Sequence, residues 1–232
     1  MSRHFFPYPR SMLLLGLVLS LYSLSMWAVA DAPTVTYNFT ILDVPGATFI
    51  HASSINASGQ VTGSYGDSSG THGFVYGNGT FTTFDVPGAT NTEAASINDS
   101  GQVTGNYPDS SSQLLRGFVY SNDMFTTLTP PGATYTHAYS INASGQVTGI
   151  YRDSSSGRTH GFIYDNGTFT TLDVPGATFT DARSINDSGQ VTGSYNDSSG
   201  RQHGFIYGNG TFTTLDVPGA GVTYAQSINA SG

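Results

Sequence analysis

Four side chains able to exchange protons, ligate metals or form ion pairs recur at one place in this chain. They are His72, Arg116, His160 and His203, each directly before a Gly-Phe pair. Imidazole changes charge near neutrality and is a common metal ligand. A zinc site, however, needs its ligands about 2.1 Å from one ion. Equivalent positions on separate repeats stand farther apart than that, and Arg116 cannot ligate. The local expectation is a side chain at the start of a strand bonding its neighbouring loop. The functional alternative is a candidate binding rim whose occupancy depends on pH.

Carboxylates recur in two further places. Asp67, Asp109, Asp153 and Asp197 open Asp-Ser loops, and Asp43, Asp85, Asp173 and Asp216 open Asp-Val-Pro-Gly-Ala. Both sets are expected on one rim, where they are weak Ca²⁺ candidates or a face for a cationic partner. Against this, no loop holds the closely spaced acids of an EF-hand cage, and Asp and Ser bond their own turns. No other cofactor is expected. Tyr65, Tyr107, Tyr151 and Tyr195, with Phe81, Phe125, Phe169 and Phe212, recur once per unit. They read either as core between units or as platforms for sugar rings. Sequons such as those at Asn56, Asn78 and Asn98 recur because their turn recurs. There is no Gly-x-Ser-x-Gly elbow and no phosphate-cradling loop. Glu93 and Arg116 are the conspicuous departures from the repeat, and they make no constellation. No catalytic residue is therefore expected.

The elements that position these residues come from a repeat. Ser-Ile-Asn-x-Ser-Gly starts at Ser54, Ser96, Ser140, Ser184 and Ser227, in steps of 42, 44, 44 and 43 residues. Repeats of this length with several strands each belong to radial or stacked architectures. In the second unit, Ala94–Ile97 is a short apolar run, and Asn98–Gly101 supplies a turn. Gln102–Tyr107 alternates as a strand does, Pro108–Leu114 is a polar loop, and Arg116–Tyr120 and Met124–Leu128 are further strands. Other copies place Asn78-Gly79, Asn166-Gly167 and Asn209-Gly210 in the last turn, a strong hairpin signal. Each unit is thus four short antiparallel strands, a to d. The fold class is all-β, a β-propeller-like repeat, with a β-solenoid-like stack as the alternative.

Approximate units are 51–92, 93–136, 137–180 and 181–222, with a partial unit 223–232. A lone d-type strand is expected at Thr36–Leu42 and a lone a-type strand at Ala225–Asn229, as in a possibly incomplete ring. From the strand-b Tyr to the residue before Gly-Phe the spacing is 7, 9, 9 and 8 residues, and the rest of each unit is constant. All length variation sits in the b–c loop, where repeat proteins often carry their binding face.

Composition narrows the class. Residues 1–30 read as a signal peptide: Arg3 and Arg10, then an uncharged run from Met12, then Ala28-Val29-Ala30 before Asp31. The repeat domain is then 31–232, secreted or at the cell surface, with no membrane insertion after cleavage. There is no Cys, which excludes disulfides and thiolate chemistry. The formal net charge of −8 argues against nucleic acid as a partner.

Ile97-Asn98-Asp99-Ser100-Gly101-Gln102-Val103, followed by His72-Gly73-Phe74, His160-Gly161-Phe162 and His203-Gly204-Phe205 in the other copies, resembles the HAF family of probable extracellular repeats. The family's His-Ala-Phe is His-Gly-Phe here, and Arg116 replaces His in one unit. The resemblance covers nearly all of 34–232. It implies an exported repeat protein with no established activity and no catalytic residues to carry over. The function expected is a non-catalytic binding or scaffold module for an unknown extracellular protein or carbohydrate. The alternative is a polysaccharide lyase or hydrolase on a propeller.

Overall fold

A computed structural model describes residues 36–232, so the expected signal segment lies outside the described residues. Sixteen strands form four antiparallel sheets of four, each built from consecutive strands. The first sheet is β1 (Phe49–Ile55), β2 (Val61–Gly66), β3 (Thr71–Gly77) and β4 (Thr80–Phe84). The second is β5 (Glu93–Ile97), β6 (Val103–Pro108), β7 (Leu115–Ser121) and β8 (Met124–Leu128). The third is β9 (Ala133–Ile141), β10 (Val147–Asp153), β11 (Thr159–Asp165) and β12 (Thr168–Leu172). The fourth is β13 (Phe179–Ile185), β14 (Val191–Asn196), β15 (Gln202–Gly208) and β16 (Thr211–Leu215). All four belong to one compact body, Ile41–Gly232.

The turn chemistry accounts for the hairpins. Asn78, Asn166 and Asn209 have φ of 51°, 44° and 50°, and the glycine after each is also positive. Two successive left-handed residues make the turn whose twist matches paired strands. The second sheet makes the same turn with Asn122 and Asp123.

No sheet has a core of its own. One apolar cluster joins Phe84 and Val86 of the first unit to Ala94, Ile97, Val103 and Phe118 of the second. Another joins Val119 and Leu128 to Ala138, Ile141, Val147 and Phe162. A third joins Leu172 and Val174 to Ala182, Ile185, Val191 and Phe205. The inner strands β1, β5, β9 and β13 are neighbours in that order. The series is open rather than closed, and β1 shows it: Ile55 is 65% exposed, whereas Ile97, Ile141 and Ile185 are buried.

The Ser-Ile-Asn motif is the connector between sheets. Asn56, Asn98, Asn142 and Asn186 each donate through Nδ2 to the backbone carbonyl of the next motif's Asn, at 2.9–3.0 Å. The motif serines accept from the following unit's backbone, as in Ile141 N–H to Ser96 Oγ at 3.4 Å. The lone outer strands do not form ladders. Thr36–Leu42 has no strand assignment, and neither has Ala225–Asn229. The latter is nevertheless fixed to the fourth sheet, because Asn229 carbonyl accepts from Asn186.

Candidate functional site

The recurring imidazoles are clamps inside their own sheets. His72 bonds Asp85 through Nδ1 at 2.9 Å and Asp67 through Nε2 at 3.2 Å. His203 does the same with Asp216 at 2.9 Å and Asp197 at 3.3 Å. His160 bonds Asp173 at 2.8 Å. Each ring lies against the strand-b tyrosine of its own sheet: Tyr65, Tyr151 and Tyr195, with centroids 5.0–5.1 Å away. Each clamp therefore ties the b–c loop or strand c to the d–a turn. In the second sheet the clamp is absent as a pair: Arg116 stands for His, and Thr129 stands where the other units have Asp. Arg116 Nη1 instead reaches the Ala133 carbonyl at 3.1 Å.

The four loop carboxylates are also spoken for. Asp67 accepts from Ser69 N–H and Oγ–H, and those serine bonds hold it at about 2. Asp109 is held at about 2 by Ser111 and Ser112. Asp153 and Asp197 are lowered by their own loop serines and backbone in the same way. These acids stand one per unit. Among the described residues, no group of three or more His, Asp or Glu is arranged to hold a metal ion. The Phe81-type rings touch their own sheet, at 5.3 Å from Phe74 for Phe81 and 5.6 Å from Phe162 for Phe169. Phe125, Phe169 and Phe212 also pack against the clusters that join neighbouring sheets, as core between units should.

Variation with chemical content lies elsewhere, on the inner strands. Aligned on Ser-Ile, they read Phe-Ile-His-Ala-Ser, Asn-Thr-Glu-Ala-Ala, Tyr-Thr-His-Ala-Tyr, Phe-Thr-Asp-Ala-Arg and Val-Thr-Tyr-Ala-Gln. Every second position is nearly fixed, and the positions between change identity and charge. In a strand, alternate positions face opposite ways. The fixed alanines Ala94, Ala138 and Ala182 are 0–3% exposed and pack into the clusters between sheets. The variable positions hold His51, Glu93, His137 and Asp181, then Ser53, Ala95, Tyr139 and Arg183. A register shift falls between Ala52 and Ser54, Ala94 and Ser96, and Ala182 and Ser184, beside the second variable position. Bulges of this kind re-aim side chains.

Glycine in the Val-Thr-Gly segment makes room for this. A methyl on Gly149 would overlap the His137 carbonyl. The same holds for Gly105 and the Glu93 carbonyl.

Five of the variable residues, from the first three inner strands, line a cavity of about 420 Å³: His51, Ser53, Glu93, Ala95 and His137, with Phe49 and Asn106 beside them in its wall. Its level in the fold follows from register. Phe49 pairs with Gly66, and Gly66 with Thr71, the two residues flanking the first b–c loop. The cavity thus lies toward the rim that carries the loops of variable length.

Its polar groups are oriented. Asn106 is 2% exposed; its Oδ1 accepts from Ala138 N–H at 2.8 Å, which fixes Nδ2 as a donor. Nδ2 donates to the Ala138 carbonyl at 3.2 Å and lies 3.2 Å from His137 Nδ1 and 3.5 Å from its Nε2, so the imidazole sits against a fixed donor. Burial, and then the Arg183 charge, push the His137 imidazole down to about 4. Beyond His137 the Tyr139 ring is 4.4 Å away, and the Arg183 guanidinium lies over that ring at 4.5 Å. Arg183 is held by Asp181 Oδ2 through Nε at 2.8 Å and Nη2 at 2.7 Å. Asp181 is 5% exposed, burial raises its pKa, and its Oδ1 has no partner.

The structure therefore places Glu93 beside His51 and His137, side chains the single-unit reading passed over, and leaves Arg116 at the rim. Comparing the copies column by column would have found the inner-strand set.

The fold is shared with solved structures. TolB from Acinetobacter baumannii is similar with a TM-score of 0.51 at 16% identity, over 72% of this chain and 42% of that one. A puromycin-hydrolyzing peptidase of Mycobacterium tuberculosis is similar with a TM-score of 0.53 at 14% identity, over 75% and 31%. The Aleuria aurantia lectin, described as a six-bladed β-propeller, gives 0.40 at 13% identity, over 68% and 55%. The chain's own geometry, four consecutive four-stranded antiparallel sheets whose inner strands follow one another, is an open β-propeller-like series. At these identities the likeness is one of fold alone, and this chain spans less than half of the first two proteins. No protein-family model and no curated protein matches it. Among the described residues, no helix is long and apolar enough to cross a membrane.

Proposed function

We propose that this chain is a non-catalytic binding module of an exported protein in the HAF repeat family, capturing an extracellular carbohydrate or protein in the inner-strand cavity. One observation carries the reading: fixed and variable residues alternate along the inner strands, and variable ones converge on one cavity. A repeat that held its neighbours only by packing would have no reason to place His, Glu and His at equivalent positions. The b–c loops, which differ in length, surround the same rim. The His–Asp clamps support that rim and do not contact the ligand.

The test is titration of the purified chain with panels of extracellular saccharides and secreted proteins, repeated with His137→Ala, Glu93→Ala and the clamp variant His203→Ala. Binding is expected to fail in the two cavity variants and to survive in His203→Ala. Binding that survives both cavity variants would sink the cavity reading. Conversion of a bound polysaccharide into shorter products would replace it with a hydrolase or lyase.

A further inference from the structure

We propose that the inner-strand cavity takes a saccharide unit bearing a free amino group, as in a deacetylated amino-polysaccharide. The inference rests on the binding reading above and adds the ligand's chemical class. Three features of the cavity wall point to it.

The first is size and shape. A volume of about 420 Å³ falls in the range of roughly 300–1,000 Å³ typical of small-ligand sites. It suits a compact ring more than an extended peptide, which needs a groove or a free strand edge along several residues.

The second is the mixture of surfaces. Phe49 is 51% exposed and offers an aromatic face to a ring's C–H side. Around it stand groups of both hydrogen-bonding senses. His137 stands in the wall as a neutral imidazole, with one N–H and one acceptor nitrogen, and Asn106 Nδ2 lies 3.2 Å from Nδ1 and 3.5 Å from Nε2. Ser53 and His51 bond each other at 3.3 Å and are exposed, so each can trade that bond for a hydroxyl. A polyhydroxylated ring presents both donors and acceptors to such a wall.

The third is charge. Glu93 is the one carboxylate in the wall, and it is the only Glu in the chain. No cation in the wall answers it. His137 is held neutral by burial and by Arg183. Arg183, the only cation on the inner strands, is itself answered by Asp181 at 2.7 Å. Across the whole chain the formal charge is −8. A field of that sign draws cations toward the cavity and repels uronates and sulfated sugars. An ammonium on the ring would form a charge-assisted bond to Glu93, the strong kind of hydrogen bond.

The experiment is calorimetric titration of the full chain with four tetrasaccharides: glucosamine, N-acetylglucosamine, glucose and galacturonate, together with tetralysine. Each is repeated with Glu93→Gln, a variant checked for wild-type circular dichroism. The glucosamine tetramer is expected to bind at least about tenfold more tightly than its N-acetylated form, the difference one charge-assisted bond makes. Glu93→Gln should erase that preference, and so should high salt.

Equal binding of the N-acetylated or glucose tetramer overturns the amino-sugar assignment while leaving the binding module standing. So does tightest binding of galacturonate, or a preference that survives Glu93→Gln. Tetralysine binding that depends on Glu93, without sugar binding, overturns it in favour of a basic peptide. If nothing in the panel binds, the carbohydrate side of the proposed function falls together with it.

Discussion

Removing one rung of the asparagine ladder should cost far more than its place in a turn suggests. Asn142 is 3% exposed. Its Nδ2 donates to Asn186 carbonyl at 3.0 Å and Gln146 Oε1 at 2.8 Å. Its Oδ1 accepts from Ser144 N–H at 3.1 Å and Gln146 N–H at 2.9 Å. Asn142→Ala removes all of these and leaves buried backbone groups unpaired. At about 1 kcal/mol per bond, the loss is about 4 kcal/mol. For a domain of this size each kcal/mol moves Tm by roughly 2–4 °C, so a fall of about 8–16 °C is expected. Ser144→Ala, on an exposed side chain two residues away, should stay within about 0.5 kcal/mol. Asn142→Asp keeps both acceptor roles but turns the donor into an oxygen facing Asn186 carbonyl. It should destabilise as much at neutral pH and recover in part in acid, where the protonated carboxyl can donate. Thermal melts followed by circular dichroism read all three. A drop under about 2 °C for Asn142→Ala, or a wild-type melt for Asn142→Asp, would refute the ladder as the link between sheets.

The clamps make a pH prediction. Asp216 and then Asp197 raise the His203 pKa above 6.5. Burial pulls His72 down, but its bonds to Asp85 and Asp67 outweigh that and raise it too. Groups raised on folding contribute stability in full below 6.5 and lose it as pH rises through their folded values. Histidine proton NMR should therefore show both rings titrating above 6.5, and Arg116→His with Thr129→Asp should add a third such ring where Arg116→His alone does not. Gly149→Ala pushes a methyl into the His137 carbonyl and should cost about 3 kcal/mol or more in urea unfolding. Gly77→Ala meets only the flexible Gln60 side chain, at 3.3 Å, and should cost under about 1 kcal/mol.

Most of the fold was legible because it repeats. Asn-Gly turns, alternating strands and a constant spacing outside one loop pointed to the four-stranded antiparallel units that the sheets show. The role of Ser-Ile-Asn was not legible, since an asparagine that bonds a carbonyl 42–44 residues away looks, in one copy, like any turn residue. The expected outer strands at Thr36–Leu42 and Ala225–Asn229 carry good strand patterns, yet they form no ladder, because a strand exists only through a partner's backbone. The recurring His and Asp were legible because they recur, and the structure bonds each recurring His to an Asp and each loop Asp to serine of its own loop. Glu93 stood out as a departure from the repeat, but His51 and His137 did not, and only their equivalent places on neighbouring strands bring the three together.

The alternation along the inner strands has an evolutionary consequence. On the proposed function, residues turned toward the neighbouring sheet answer to folding and those turned away answer to ligand, so the two demands scarcely share a codon. A freshly duplicated unit arrives already able to fold and free to change what it grips. Libraries randomised at positions 51, 53, 93, 95, 137, 139, 181 and 183 should for the same reason yield mostly folded proteins, with new specificities drawn from an unchanged frame.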